Sequence, residues 1–529
     1  MLNTVRSYRG MVTAPHHLAS EAGLRVLREG GNAIEATIAM AATLCVVYPH
    51  MTGLGGDGFW LIGRPGETPV GIDACGRAAA AATAEFYRCR GLSQIPVRGP
   101  LAANMTAATV AGWDLALRQS SACGGTLSLS RLVEDAVHHA EHGFPVTASQ
   151  SDLTAAKRAE LESVSGFADT FLPGGEPPTV GTQMRLPALG ETLRQIGIHG
   201  ADGFYRGALS ARIAEDLCNA GSPVSAADLA ACEARLVAPL AVTLPSCRLF
   251  NFPPPTQGLS SLMILALFAR LGVTEAEGFD HLHGLIEATK QAFLVRDRII
   301  GDPQTMTERP EDQLGDAVLD QLAGAVDMQQ ALEWPMPAAA GDTVWMGAVD
   351  GDGLSVSFIQ SIYFEFGSGV VLPQTGITWQ NRGSSFQLLA DGPRALAPGR
   401  RPFHTLNPAM ATFEDGRHMV YGTMGGEGQP QTQAALFSRY ALFGQPLQLA
   451  ITAPRWLLGR TWGDETTSLK VESRIDDAVI ERLRAAGHRV ERVEPFTAMM
   501  GHAGAIVRSA DGLLEGASDP RSDGQACGF

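Results

Sequence analysis

The sequence has no run of cations, no long apolar segment and no paired-cysteine motif. Only three lysines occur among its 40 lysine and arginine residues, and the formal net charge is −15. Because nucleic-acid binding depends on clustered cations that face phosphates, this class of partner is excluded. No stretch reaches the roughly 18–20 apolar residues of a membrane span, and the N-terminus has no signal-peptide core. We therefore expect a cytoplasmic protein that binds neither nucleic acid nor membrane.

Recognisable metal and redox motifs are absent as well. The eight cysteines are scattered without a CxxC pair, and neighbouring histidines such as His281 and His283 lie in no HExxH pattern. These residue types at these spacings do not build a zinc or redox site. We predict buried, reduced thiols and no bound metal or other cofactor.

The remaining composition is that of a packed globular protein. Its 529 residues are 45% hydrophobic and 18% charged, and at about 150 residues per domain the length suggests three or four domains. Residues 11–70 predict a strand, a helix that stops at Gly30-Gly31, a helix from about Asn32 to Val46, and a glycine loop before the apolar run 59–62. The loop Thr52–Gly58 lacks the lysine of a P-loop, so it predicts tight backbone packing.

The second half of the chain changes from helical to strand-like. Residues 105–300 indicate mostly helices, with breaks at 173–178 and 251–258, and residues 302–341 indicate a mobile connector. The segments Val344–Val349 and Leu354–Ile362, joined by Asp-Gly-Asp-Gly, predict a β-hairpin. If the sequence numbers of facing residues in this hairpin add up to 704, Thr343 lies opposite Ser361.

Thr343 is a candidate nucleophile because of its place in the chain. A threonine that begins a strand is usually structural, but this one follows the predicted connector, which ends at Asp342. If its hydroxyl attacks the Asp342 carbonyl, cleavage frees an α-amino group with a pKa of about 7.7–8.0, suited to a general base. One residue would then supply both nucleophile and base.

A second glycine-rich segment could supply hydrogen-bond donors to the oxyanion that forms when such a nucleophile attacks. The strand-like residues His418–Tyr421 run into Gly422–Gln429, where Gly425 and Gly426 would let backbone N–H groups approach an oxyanion. An ordinary glycine turn before a helix is the alternative.

Short motifs follow one another along nearly the whole chain. They are His17–Gly23, Gly30–Ala36, Gly53–Gly58, Thr109–Gly112, Gly203–Gly207, Pro253–Gly258, Asp342-Thr343, Gly425-Gly426, Ser518–Arg521 and Asp523-Gly524. In this order they resemble the γ-glutamyltranspeptidase family of N-terminal-nucleophile hydrolases. The resemblance implies an α+β fold, a four-layer αββα sandwich, and autocatalytic cleavage between Asp342 and Thr343. Residues 1–342 would form a large chain and residues 343–529 a small chain, associated in one domain.

The resemblance also implies roles for single residues. Thr343 matches the catalytic threonine, and Ser361 matches the second hydroxyl that supports its amino group. Gly425 and Gly426 match the oxyanion hole, and Arg77 matches an arginine that binds the substrate carboxylate through its planar guanidinium.

Departures from the family pattern point to a different substrate. Arg382 and Ser385 stand where γ-glutamyl enzymes recognise an α-amino group, Tyr363 replaces an asparagine, and His404-Thr405 replaces a pair of serines. An added positive charge repels an ammonium group and attracts a carboxylate. We therefore take Arg77, Arg382, Tyr363, His404 and Thr405 as candidate contacts of a small anionic amide.

With these departures, the resemblance implies a self-processing amidohydrolase most similar to the oxamate amidohydrolase branch of the family, which acts in purine breakdown and forms oxalate and ammonia. A glutaryl or cephalosporin-type acylase and a γ-glutamyl hydrolase or transpeptidase are the enzymatic alternatives. An inactive scaffold that only binds a ligand is the alternative from another class, and the sequence leaves a homodimer open.

Overall fold

Two large antiparallel sheets organise the chain. The structure is a computed structural model that describes residues 3–334, 342–459 and 468–529. Within these residues the strands are β1 (Val5–Ser7), β2 (Gly10–Ala14), β3 (Asp57–Gly63), β4 (Val70–Ala74), β5 (Phe144–Pro145), β6 (Gln183–Met184), β7 (Arg235–Val237), β8 (Leu240–Leu244), β9 (Cys247–Asn251), β10 (Asp342–Asp350), β11 (Ser355–Tyr363), β12 (Ala409–Phe413), β13 (His418–Thr423), β14 (Trp456–Leu458), β15 (Leu469–Glu472), β16 (Val490–Val493), β17 (Ala503–Arg508), β18 (Leu514–Ser518) and β19 (Gln525–Gly528).

Helices make up most of the rest. The α-helices of the described residues are α1 (His17–Arg28), α2 (Ala33–Val47), α3 (Ala84–Arg88), α4 (Thr109–Ala122), α5 (Leu129–Leu132), α6 (Glu134–His142), α7 (Ala148–Leu161), α8 (Phe167–Phe171), α9 (Pro187–Tyr205), α10 (Ala208–Ala220), α11 (Ala226–Ala230), α12 (Gly258–Arg270), α13 (Phe279–Ile299), α14 (Asp316–Gly324), α15 (Gln429–Phe437), α16 (Leu447–Thr452) and α17 (Asp477–Ala485). None of these helices is both long enough and apolar enough to span a membrane.

The sheets stack face to face and carry helices on their outer sides. One sheet has the order β1-β18-β17-β13-β12-β9-β8, and the other has the order β19-β2-β10-β11-β3-β4-β7. An apolar layer that includes Trp345 and Phe59 lies between them, α1, α2 and α4 pack on the second sheet, and α12 and α13 pack with the first. This αββα order confirms the predicted fold class. Both sheets contain strands from before and after Thr343. The expectation of three or four separate domains, which was based on length, is therefore wrong.

The N-terminal elements form as their local sequence dictates. Helix α2 begins at Ala33 because the Asn32 side chain accepts hydrogen bonds from Ile34 and Glu35, while the Glu35 carboxylate accepts one from the Asn32 N–H at 2.9 Å. Such a capping box satisfies amide groups that the helix itself leaves unpaired. The observed bounds of α2 confirm the helix predicted from about Asn32 to Val46.

The glycine loop before β3 is packed against backbone. A Cβ atom on Gly55 would lie 2.2 Å from the Thr378 carbonyl oxygen, and one on Gly56 would lie 2.1 Å from the Ser361 carbonyl oxygen. Only glycine tolerates such an approach. The predicted packing role is confirmed, and it brings this loop against Ser361.

Three expectations need correction. Residues 105–300 are mostly helical, but β5 to β9 also lie within them, before α12 and α13; these strands are too short to show a clear period. The predicted connector contains α14, whose Leu319 is fully buried, and its residues 335–341 lie outside the described part. All eight cysteines are unpaired as predicted, but Cys89 and Cys218 are exposed.

Candidate active site

The hairpin of β10 and β11 carries the predicted nucleophile at its open end. Val344 pairs with Gln360 and Val349 pairs with Ser355, which confirms the predicted position sum of 704. The ladder shifts between Val344 and Asp342, which pairs with Tyr363. Thr343 is fully buried at this irregularity, where a bulge re-aims side chains. The fold therefore brings Thr343 to the end of β11 that carries Ser361 and Tyr363.

Tyr363 leaves the strand in a strained conformation. The Ser361 hydroxyl oxygen accepts a hydrogen bond from the Tyr363 N–H at 2.8 Å. Tyr363 has a φ of 83°, a left-handed value that is costly for an aromatic residue and often marks a functional site. Its ring lies under the guanidinium of Arg382, with 3.7 Å between the guanidinium carbon and the ring centroid.

Arg382 is a buried cation. Its side chain is 1% exposed, and its Nη1 donates a hydrogen bond to the Thr405 hydroxyl at 3.0 Å. Nε and Nη2 have no hydrogen-bond partner among the residues that the structure describes. Burial lowers the pKa of Arg382 to about 10, so the group stays charged at neutral pH. Two adjacent N–H donors on a planar cation suit a carboxylate.

His404 is paired with a buried carboxyl group. Its Nε2 lies 3.2 Å from Oδ2 of Asp57, and its Nδ1 has no hydrogen-bond partner among the described residues. Burial, with the nearby Arg382 charge, lowers the pKa of His404 well below its ordinary value. Burial raises the pKa of Asp57 to about 7, although hydrogen bonds and the charge of Arg382 act in the opposite direction. The imidazole is therefore neutral at physiological pH.

The predicted oxyanion glycines lie next to this group. Gly425 and Gly426 follow β13 with φ values of 118° and 54°, a conformation that side chains disfavour. The side-chain amide of Gln257 donates to the carbonyl oxygens of Gly426 and Thr405, both at 2.8 Å. Gln257 thus fixes the glycine pair relative to the His404-Thr405 segment.

Arg77 is held apart from the buried arginine. Its Nη1 donates to the Gly399 carbonyl oxygen at 3.0 Å, and its backbone N–H donates to the Thr106 hydroxyl at 2.9 Å. In the described part of the chain, no hydrogen bond or ion pair joins Arg77 to the other predicted substrate contacts. Both arginines nevertheless act electrostatically on the thiol of Cys75, so Arg77 lies at the edge of the same region.

Two buried groups in the described ranges have metal-ligand types within 4.8 Å of one another. They are Asp57, Cys75 and His404, and His283, Glu287 and His488. The first group lies beside the Arg382 cation, and in the second the Lys290 ammonium is 2.6 Å from Glu287. A fixed cation at each position opposes a metal ion, so the absence of a metal stays our prediction.

Comparison with known proteins identifies the family. Residues 19–529 match the sequence profile described as gamma-glutamyltranspeptidase. The chain belongs to the gamma-glutamyltranspeptidase family. Its αββα sandwich is that of N-terminal-nucleophile hydrolases, and like its relatives it is an enzyme of this hydrolase type.

Two curated members of the gamma-glutamyltranspeptidase family and one solved structure illustrate the similarity. The chain is 54% identical to the oxamate amidohydrolase proenzyme of Klebsiella pneumoniae subsp. pneumoniae, with 99% of each chain covered. It is 40% identical to the glutathione hydrolase-like YwrD proenzyme of Bacillus subtilis, with 100% of each covered. The crystal structure of cephalosporin acylase from Bacillus halodurans superposes with a TM-score of 0.92 at 32% identity, covering 100% of this chain and 97% of that one.

Three polar residues of this region are not among the predicted site residues. Asp57, Gln257 and Gln380 are buried and bond directly to segments that carry predicted site residues. A signal existed for Asp57, which is the one charged residue in the glycine loop Thr52–Gly58. Gln257 lies in the motif Pro253–Gly258, but neither glutamine has a local signal for its hydrogen bonds, because the partners lie far away in sequence.

Proposed function

We propose that this chain is a self-processing amidohydrolase that converts oxamate and water to oxalate and ammonia. The observation that carries the proposal is the buried Arg382, which has two unpartnered donors and lies on Tyr363 at the hairpin end near Thr343. The 54% identity to an oxamate amidohydrolase proenzyme over 99% of both chains supports the same substrate.

Processing precedes catalysis in this proposal. The Thr343 hydroxyl attacks the Asp342 carbonyl carbon, the peptide C–N bond breaks as the nitrogen takes a proton, and water hydrolyses the resulting ester. The products are chains of 342 and 529 − 342 = 187 residues. They stay associated because each sheet contains strands of both chains, so separation would expose the shared core.

The same hydroxyl then acts on the substrate. Thr343 Oγ attacks the carboxamide carbon while its α-amino group takes the hydroxyl proton and delivers it to the departing nitrogen, which leaves as ammonia. N–H groups of Gly425 and Gly426 stabilise the oxyanion. Water hydrolyses the oxalyl ester, which releases oxalate and returns the free threonine.

Recognition of the free carboxylate is assigned to the buried arginine. Its Nε and Nη2 face no other acceptor in the described residues, while Tyr363 and Thr405 fix its plane. Arg77 adds positive charge at the edge. A substrate with an α-ammonium group would meet a desolvated cation, so γ-glutamyl compounds are disfavoured.

A glutaryl or cephalosporin-type acylase is the second candidate. The TM-score of 0.92 to a cephalosporin acylase at 32% identity favours it. In both candidates the nucleophile and the carboxylate-binding arginine keep their roles.

The experiment compares ammonia or amine release from oxamate, a glutaryl amide and a γ-glutamyl amide by the purified, processed enzyme. We expect the highest kcat/KM with oxamate. A preference for the glutaryl amide would support the acylase, and turnover of the γ-glutamyl amide alone would contradict the role given to Arg382.

A further inference from the structure

Asp57 joins the segments that carry the proposed substrate contacts. Its Oδ1 accepts hydrogen bonds from Gly76 N–H at 2.8 Å, from Ala108 N–H at 3.2 Å and from Gln380 Nε2 at 3.1 Å. Its Oδ2 faces His404, and in the sheet Asp57 pairs with Ser361. Gly76 and Gln380 lie next to residues 77 and 381–382. A single carboxyl group therefore links four parts of the site.

The hydrogen-bond donors around Asp57 determine which nitrogen of His404 carries the proton. Backbone and amide N–H groups can only donate, so three donors on Oδ1 require an acceptor there. In the ionised form, Oδ2 is an acceptor too, and His404 must point an N–H at it from Nε2. A neutral imidazole carries one N–H only. Its Nδ1 therefore presents a lone pair.

That lone pair and the free donors of Arg382 lie in one region. His404 Nδ1 and Arg382 Nε and Nη2 are all buried and without a hydrogen-bond partner in the described residues. Arg382 bonds to Thr405, the neighbour of His404. Buried polar atoms are normally paired, and two donors beside one acceptor complement a carboxylate that carries an adjacent N–H group.

We propose that Asp57, in its ionised form, is a positioning residue that holds His404 in its Nε2–H tautomer, so that Nδ1 accepts an N–H of the substrate carboxamide and the site selects acid amides over their esters. The inference rests on the proposed function in taking an acid amide as the substrate. It adds to that function a role for Asp57 and an assignment of the imidazole proton of His404 to Nε2.

The first test is Asp57→Asn. The asparagine oxygen keeps the three donors, but its NH₂ faces His404 Nε2, so the imidazole proton moves to Nδ1 and the acceptor is lost. For the fastest acid amide of the panel, we expect kcat/KM per processed molecule to fall about 100-fold. For the matching methyl ester, which has no N–H, the loss should be at least tenfold smaller.

Two substitutions of His404 test the same idea without altering Asp57. The amide nitrogen of His404→Gln can reach the Nε2 position and donate to Asp57, but nothing replaces Nδ1. The shorter His404→Asn can place its oxygen near the Nδ1 position. We expect the amide-to-ester ratio to fall at least tenfold in His404→Gln and to be higher in His404→Asn. This pair decides the matter if Asp57→Asn does not fold.

Asp350→Asn is the matched control. Asp350 is a buried carboxylate that also accepts backbone N–H bonds, from Ala33, Asp352 and Leu354, but at the turn of the hairpin. Its substitution should leave the amide-to-ester ratio unchanged. An equal loss on amide and ester in Asp57→Asn and His404→Gln, with wild-type activity on an acid amide, would overturn the inference and leave the proposed function standing. Inactivity of the wild type on every amide would overturn both.

Discussion

Replacing Arg382 by methionine separates a role in binding from a role in folding. If the guanidinium holds the substrate carboxylate, its removal takes away one partner of a buried charge pair, which costs about 2–5 kcal/mol. At 1.4 kcal/mol per tenfold, kcat/KM for oxamate should fall roughly 30-fold to a few thousand-fold. Ammonia release by the processed enzyme measures this loss.

The same substitution should leave stability almost unchanged. It removes the bond to Thr405, worth about 1 kcal/mol, and stacking on Tyr363, worth about 2 kcal/mol. It also removes a buried cation with two unpartnered donors, each of which costs about 1–3 kcal/mol. These effects offset one another, so Tm should stay constant or rise.

Arg382→Lys is the control for charge alone. Lysine keeps a cation but not the planar fork, so only part of the activity should return. Full activity in Arg382→Met, or a loss of activity that parallels a large fall in Tm, would refute the assignment.

Three further predictions follow from the described contacts. Gly425→Ala places a side chain at a φ of 118° and should lower kcat about tenfold or more with little change in KM, as steady-state kinetics can check. Burial raises the pKa of Asp57, which lies beside Arg382, Cys75 and His404, from 3.8 to about 7. The stability that protonated Asp57 contributes in acid is therefore lost as the pH rises through about 7. Melting curves from pH 5 to 8 should show the wild type losing stability relative to Asp57→Asn. Gly422→Ala puts a Cβ 2.2 Å from the Trp345 ring and should lower the free energy of unfolding by about 1–3 kcal/mol in urea, whereas Gly324→Ala, in open space in α14, should not.

Local sequence was sufficient for the hairpin and the first helices. Asp-Gly-Asp-Gly fixes the turn between β10 and β11, so the pairing of Val344 with Gln360 followed from counting. Asn32 and Glu35 likewise mark where α2 begins. The bulge that shifts Asp342 to Tyr363 carries no such signal, because it depends on how the strand end packs.

The network around Asp57 could not be read from the chain. Its donors come from Gly76, Ala108, Gln380 and His404, and the last is 347 positions away. Only tertiary structure brings such residues together. The family motifs located Thr343 and the glycine pair and include Asp57, but they do not show that Asp57 lies against His404, on which the His404 tautomer depends.

The identity of the polypeptide chains in purified protein tests the central claim most directly. Intact-mass measurement and denaturing electrophoresis of the wild type should show two chains of 342 and 187 residues, the smaller beginning at Thr343, whereas Thr343→Ala should remain one chain of 529 residues. A wild-type protein that stays full-length yet releases ammonia from oxamate, or a Thr343→Ala variant that is cleaved at the same bond, would contradict the account.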